Sequence, residues 1–414
     1  MGTKSSLRIA VDMLSVLSNG ENGGSKVLVL TLFKQLQTLA PQYRFFLLTA
    51  PWNHAELLEY ETANTQCIPI GSSAPPADSP PSDLRAIRFL NKVKRKIRGK
   101  LKRFYPKKSL LKEYEIDLLF CPFSATNSAE KGIPTVAIVY DLQHLDYPSF
   151  FTDEERQQRD LFLGNLLKVA QKLICISEFS RQSFLTKLNA PAEKLSVIHI
   201  SVHDRWAGLD PATVMENLQE LGLDDRNYAF YPANYWPHKN HRMLLAAYEI
   251  YQKNFPDNTL NLVFTGALKQ EEQKLREMVA EAGLSDRVHF LGYLGEAQLE
   301  SVWRGCQFLV FPSLYEGFGI PILEGMVFGK PVLSSTAGSL PEVGGDAVIY
   351  FDPKNPEELA DCLSQIDRNE ATAINLIDKG YERLKLFESE KMVQEYLEVF
   401  SEVVRKQTHR NRLT

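Results

Sequence analysis

The stretch PSLYEGFGIPILEGMVFGKPV, residues 312–332, decides how this chain is read. The apolar run Gln307–Phe311 before it predicts a buried strand ending at Pro312. Gly317 and Gly319 follow, in a loop whose backbone can approach a ligand closely, and Pro321 suits the first position of a helix. A helix start presents unpaired N–H groups and a positive dipole end, which suit phosphate. Seven residues separate Glu316, on the loop, from Glu324, about one turn into the helix. Carboxylates repel phosphate but accept readily from hydroxyls. Phosphate donors beside two hydroxyl-readers predict a nucleotide-sugar site.

Outward from this stretch the chain alternates short apolar runs with helix-period segments. Strands are expected at Leu7–Val11, Arg44–Thr49, Ile116–Phe120, Thr135–Tyr140 and Lys172–Ile176. A second set is expected at Tyr228–Tyr231, Asn261–Thr265, Val288–Leu291, Phe308–Phe311 and Pro331–Ser334. Helices such as Lys26–Leu39, Asp153–Ala170, Arg242–Lys253 and Gln270–Ala282 lie between them. This rhythm implies right-handed βαβ crossovers and parallel sheets. ISVHDRWAGLDPA, residues 200–212, breaks it and reads as a linker between two doubly wound α/β domains facing one another across a cleft. The expected boundaries are 1–203, 204–388 and a C-terminal segment 389–414, whose helix, at Lys391–Val404, could cross back to the first domain.

With 44% hydrophobic and 24% charged residues over 414 positions, the chain is neither disordered nor a disulfide-stapled miniature. Its five cysteines are scattered without a CxxC, which argues against a zinc ribbon and for a reducing, cytoplasmic setting. No secretory signal opens the sequence, and no apolar run approaches the roughly 18 residues of a membrane span. The formal charge of −4 conceals a block: thirteen of the 47 basic residues lie between Asp83 and Glu113, with no acid among them. Within it, residues 84–104 place Leu84, Ile87, Leu90, Val93, Ile97, Leu101 and Phe104 three or four apart, the apolar stripe of a basic amphipathic helix. Such a helix can pack with a solvated basic face or lie on an anionic membrane surface. Nucleic acid is not the expected partner, since clustered aromatics that would read bases are missing.

The chain resembles the retaining glycosyltransferases of family 4, of the GT-B fold. Glu316 and Glu324 match that family's E-x7-E motif. The similarity continues through AGSLPEVGGDAVIYFDPKNPEELA (337–360), YPANYWPHKNHRMLL (231–245), VFTG (263–266) and RVHFLGYL (287–294). It is weaker at NGGSKV (22–27) and VYDLQHLDYP (139–148). The resemblance implies two Rossmann-like domains, with a nucleotide diphosphate sugar bound mainly on the C-terminal one. Glu324 would bind ribose hydroxyls and Glu316 those of the donor sugar. Backbone amides of Phe318, Gly319 and Ile320, beside Gly317, would meet the sugar and phosphates. Lys239 would stabilise the departing diphosphate. Gly266 and the Gly292–Leu294 segment, with Tyr293 and Leu294, would line the nucleoside, and Gly24 would approach the phosphates from the other domain.

Two positions depart from the family pattern. Where an arginine is usual, five residues before Lys239, this chain has Asn234. Either another cation supplies the charge or Asn234 itself donates to an oxygen. Where a His-Asp pair is frequent, it has Tyr140 and Asp141, with His144 three residues on. Asp141 is the expected catalytic carboxylate on the acceptor side, beside Tyr140; His144 is either structural or a proton-handling or sugar-binding group. His238 and His241 read as loop or capping residues. There is no Asp-x-Asp and no zinc spacing, so no metal and no cofactor are expected. The expected reaction moves a hexose to a glycan or lipid-linked saccharide in cell-surface polysaccharide synthesis. UDP-glucose leads as donor, with a GDP-mannose-dependent mannosyltransferase as the alternative on the WPHKNH resemblance. A non-catalytic GT-B scaffold at the membrane surface is the remaining one.

Overall fold

The computed structural model describes residues 6–17, 24–70, 109–202, 205–206, 208–267 and 269–413. The basic segment 84–104 and its membrane reading lie outside these residues, as do the first two positions of NGGSKV. Two parallel sheets form the framework. The first has the order β3-β2-β1-β4-β5-β6-β7, with β1 Arg8–Asp12, β2 Arg44–Thr49, β3 Thr65–Pro69, β4 Leu118–Cys121, β5 Thr135–Val139, β6 Lys172–Cys175 and β7 Leu195–Val197. The second has the order β10-β9-β8-β11-β12-β13, with β8 Asn227–Pro232, β9 Leu260–Thr265, β10 Val288–Phe290, β11 Phe308–Phe311, β12 Val332–Ser335 and β13 Ile349–Phe351. Central strands such as TVAIV at β5 and FLVF at β11 are buried at every position, as strands covered by helices on both faces must be.

Three strands escaped the sequence reading, and each is short or polar for a physical reason. β3, TQCIP, is an edge strand with Gln66 and Pro69 exposed. β7 and β13 are edge strands of three residues each. An edge strand is covered less completely, so it has no need of an unbroken apolar run.

In each sheet the strand order reverses once, between β1 and β4 and between β8 and β11. Ligands in open α/β sheets bind beyond the carboxyl ends of the strands at such switch points. The segment after Pro232 and the segment after Phe311 therefore meet where a ligand is expected, and they carry Lys239 and Glu316 respectively.

The last helix, Ser389–Leu413, returns to the N-terminal domain. Phe120 of β4 packs against Tyr396 and Phe400, with ring centroids 5.7 and 5.1 Å apart. Buried Gln35 of the first helix donates to the Ser389 hydroxyl at 2.7 Å. Trp303, Tyr228, Tyr248 and Phe264 fill the core of the second domain.

Candidate functional site

Lys239 ends a short 3-10 turn, Pro237–Lys239, that follows β8. Next to it Asn240 takes a left-handed conformation, φ 61°, and its amide donates to Pro312 O at 3.0 Å and Pro353 O at 2.8 Å. The Tyr231 hydroxyl donates to Lys239 O at 2.7 Å, and Leu314 N donates to His238 O at the same distance. These bonds lash the post-β8 turn to the post-β11 loop. The Lys239 ammonium accordingly lies 2.7 Å from Glu316 Oε1 and 5.5 Å from the Phe311 ring centroid. His238 and His241 flank it as neutral groups. Burial, reinforced by the Lys239 charge, pushes them down to about 4 and about 3.

The loop bearing Glu316 is held from both domains. Ser339 donates through its hydroxyl to Glu316 O and Phe318 O. Gly317 is pressed against the N-terminal domain: a Cβ there would stand 2.6 Å from Tyr140 O and 3.3 Å from Asp141 Cβ. Gly319, at φ 112°, turns the chain into the helix Ile320–Val327, so Pro321 sits at its second position. The helix Gly24–Leu39 begins opposite, its Gly24 within 3.9 Å of Ile320 Cδ1 if a Cβ is built on it. Two helix starts thus face one another beside the Lys239–Glu316 pair.

Glu324 lies in the second turn of the helix Ile320–Val327 and is buried. Its Oε1 bonds the guanidinium of Arg205, from the stretch joining the two domains. Arg205 stacks on the Trp206 ring at 4.3 Å, and burial lowers its pKa to about 10, which leaves it charged at neutral pH. Asn234 Oδ1 accepts from Ala267 N at 2.7 Å, while Gly266 N donates to Gly292 O at 2.8 Å. These bonds tie together the segments leaving β8, β9 and β10. Tyr293 is exposed and Leu294 half-buried on the last of them.

The residues expected on the acceptor side separate from one another. Asp141 lies against the glycine turn; its Oδ1 accepts from Gln143 N at 2.9 Å. Burial pushes its pKa up, and the Glu316 charge adds to the rise. The Tyr140 hydroxyl turns into its own domain and donates to Pro122 O at 2.7 Å, with burial raising its pKa. His144 is covered, with 1% of its side chain exposed, its Nε2 3.2 Å from Asp160 Oδ1 and its ring edge-on to Phe151. It presents no surface to a cleft ligand and is held neutral by burial.

Residues 215–383 match the family model described as glycosyl transferases group 1. The C-terminal domain belongs to the glycosyl transferases group 1. The chain is 28% identical over 260 residues to the O-antigen chain mannosyltransferase B of Escherichia coli, covering 62% of this chain and 66% of that protein. It is 26% identical over 243 residues to the O-antigen chain mannosyltransferase RfbU of Salmonella typhimurium, covering 55% and 62%. The matched part thus falls just short of two thirds of these curated relatives. The crystal structure of Anabaena HepE in complex with UDP-glucose superposes with a TM-score of 0.69 at 18% identity, covering 96% of this chain and all of that one. The two doubly wound sheets are those of a GT-B glycosyltransferase fold.

Several interacting residues at this junction have no signal in the local sequence. Arg205 stands in the linker stretch 200–212, where nothing in the sequence sets it apart. Glu342 reaches across to the other domain, where its carboxylate accepts from Glu178 N at 2.7 Å, Phe179 N at 3.0 Å and His199 Nε2 at 2.8 Å. Ser177 donates to Gly317 O at 2.7 Å, and Tyr147 donates to Leu314 O at 3.0 Å. Each partnership spans more than 100 residues of sequence, and no period or motif encodes it. Among the described residues, no three His, Cys, Asp or Glu side chains converge as metal ligands do.

Proposed function

We propose that the chain is a retaining, metal-independent mannosyltransferase that moves a mannosyl residue from GDP-mannose to a hydroxyl of a surface glycan, carried on a lipid. The observation that carries the glycosyl-transfer reading is the Lys239–Glu316 pair at a sheet switch point, beside two opposed helix starts. The preference for mannose over the glucose first expected rests on the O-antigen mannosyltransferases among the relatives. The basic amphipathic pattern of residues 84–104 supports a lipid-borne acceptor and an anionic membrane surface as partner.

In this reading the ammonium of Lys239 and the amides of Phe318, Gly319 and Ile320 stabilise the diphosphate as the anomeric C–O bond breaks. Glu316 accepts from hydroxyls of the sugar and Glu324 from those of the ribose. Donor diphosphate drawing on Lys239 loosens its hold on Glu316, which frees that carboxylate for the sugar. The acceptor oxygen attacks the anomeric carbon on the face the diphosphate leaves, and its proton passes to the leaving phosphate oxygen. Asp141, against Gly317, orients the acceptor hydroxyl. Configuration at the anomeric carbon is retained.

A thermal-shift screen with GDP, UDP and ADP and their sugars tests the donor. A ligand at 100 times its dissociation constant adds about 2.7 kcal/mol of stability. GDP and GDP-mannose should raise the unfolding temperature most. A shift confined to UDP and UDP-glucose would return the donor to glucose, and binding without turnover on any glycan lipid would favour a scaffold.

A further inference from the structure

Of the ion pairs among the described residues, Arg205–Glu324 is the one with both side chains nearly covered, 11% and 4% exposed. It joins the expected ribose reader to a stretch outside either sheet, between β7 and the helix Pro211–Glu220. The Arg205 Nε is buried without a partner, so the guanidinium is committed to Glu324 and to the face of Trp206 rather than to a satisfied network of its own. Burial lowers the pKa of Arg205, and the carboxylate of Glu296, a few residues beyond Gly292, works against that fall. Arg205 therefore links the stretch joining the two domains to the helix that carries Glu324.

A buried carboxylate that must accept from hydroxyls has to stay ionised in the empty site as well as the filled one. An uncompensated charge there is strongly unfavourable. Arginine suits the task, because it keeps its proton on burial, and here its Nη1 reaches Glu324 Oε1 while its guanidinium rests on the Trp206 ring. Apolar packing would fill the same space but would leave nothing to hold Glu324 ionised.

We propose that Arg205 is a positioning residue for the donor ribose, holding Glu324 ionised and aimed so that the ribose hydroxyls meet a carboxylate. The inference rests on the nucleotide-sugar reading above and adds a residue from the other side of the donor site. It makes the segment joining the two domains part of nucleoside recognition. It also adds a cation to a site whose usual arginine position is filled by Asn234.

The test is calorimetric titration of the full chain with GDP and with 2′,3′-dideoxy-GDP, or the uridine pair if the screen selects UDP. In the wild type, removing the hydroxyls should cost about tenfold in affinity, the scale of a coupled pair of contacts. Arg205→Gln should lose about tenfold for GDP yet bind the dideoxy ligand within about twofold of wild type. Arg205→Lys should recover part of the discrimination, and it carries the same comparison if Arg205→Gln does not fold. Equal weakening of both ligands would move Arg205 onto the phosphates, and unchanged binding would make the pair purely structural. Tighter GDP binding by the variant would mean that Arg205 occupies the ribose position. Each of these overturns the proposal. A wild-type chain that binds no nucleoside diphosphate would instead overturn the nucleotide-sugar reading, and this inference with it.

Discussion

The two sides of the cleft use their polar residues differently. On the C-terminal side, Lys239 meets Glu316 and Arg205 meets Glu324, so each expected donor-binding carboxylate has its own cation before any ligand arrives. On the N-terminal side, the Tyr140 hydroxyl and the His144 ring are engaged within their own domain, and of these three side chains Asp141 is the one that lies against the glycine turn. A diphosphate needs charge fixed in advance, because reorganisation during bond breaking would raise the barrier. An acceptor hydroxyl needs shape and one well-placed polar group. On the proposed nucleotide-sugar reading, the contrast places the preset charge on the donor side, and four experiments can break or sharpen it.

The largest effect should come from splitting a donor-side pair. Glu324→Ala leaves Arg205 charged and uncompensated, at a cost of about 3–5 kcal/mol. A double Arg205→Met, Glu324→Leu variant should unfold at higher denaturant than Glu324→Ala alone. If the single variant unfolds like wild type in chemical denaturation, the donor side is not held by its ion pairs.

Next is the acceptor side itself. Asp141→Asn should lower turnover by about 10²-fold, the lower end of what a positioned acid–base group contributes, and should leave donor affinity unchanged. His144→Phe should keep turnover within about twofold, since it removes a group facing its own domain, and lose less than about 1.5 kcal/mol of stability as a packed replacement. Steady-state rates that rank the two variants in the opposite order would put the acceptor chemistry on the histidine.

A smaller, pH-dependent effect follows from the histidines beside Lys239. His241 is buried with its pKa lowered to about 3, below the unfolded value, so the unfolded chain binds the extra proton first. Its contribution is complete above the unfolded value of about 6.5 and declines toward acid by roughly 1 kcal/mol per pH unit. Unfolding followed from pH 7 to 4.5 should show this slope, and His241→Phe should flatten it. An unchanged slope in the variant would assign the acid loss to other groups.

The same contrast governs what could be read from the sequence. The donor loop was legible because its parts are local: strand, glycine turn, proline and both glutamates fall within 21 consecutive residues. The alternating α/β rhythm was legible because central parallel strands are apolar throughout. Arg205 was not, since 119 residues separate it from Glu324 and nothing in ISVHDRWAGLDPA marks which side chain turns inward. In the sequence His144 stands open between a structural and a proton-handling role for the converse reason. Its place next to Asp141 in sequence suggests a shared site, yet the short helix Gln143–Asp146 turns it toward Asp160.

The central claim is that Lys239 carries the charge of the leaving diphosphate. Its direct test is transfer from GDP-mannose to a glycolipid acceptor in EDTA by wild type and Lys239→Ala, with donor affinity measured alongside. The account predicts full wild-type activity in EDTA and a loss of about 10²-fold in turnover for the variant, as when a preorganised electrostatic group is removed. Normal turnover by Lys239→Ala, or a wild type silenced by EDTA, would contradict it.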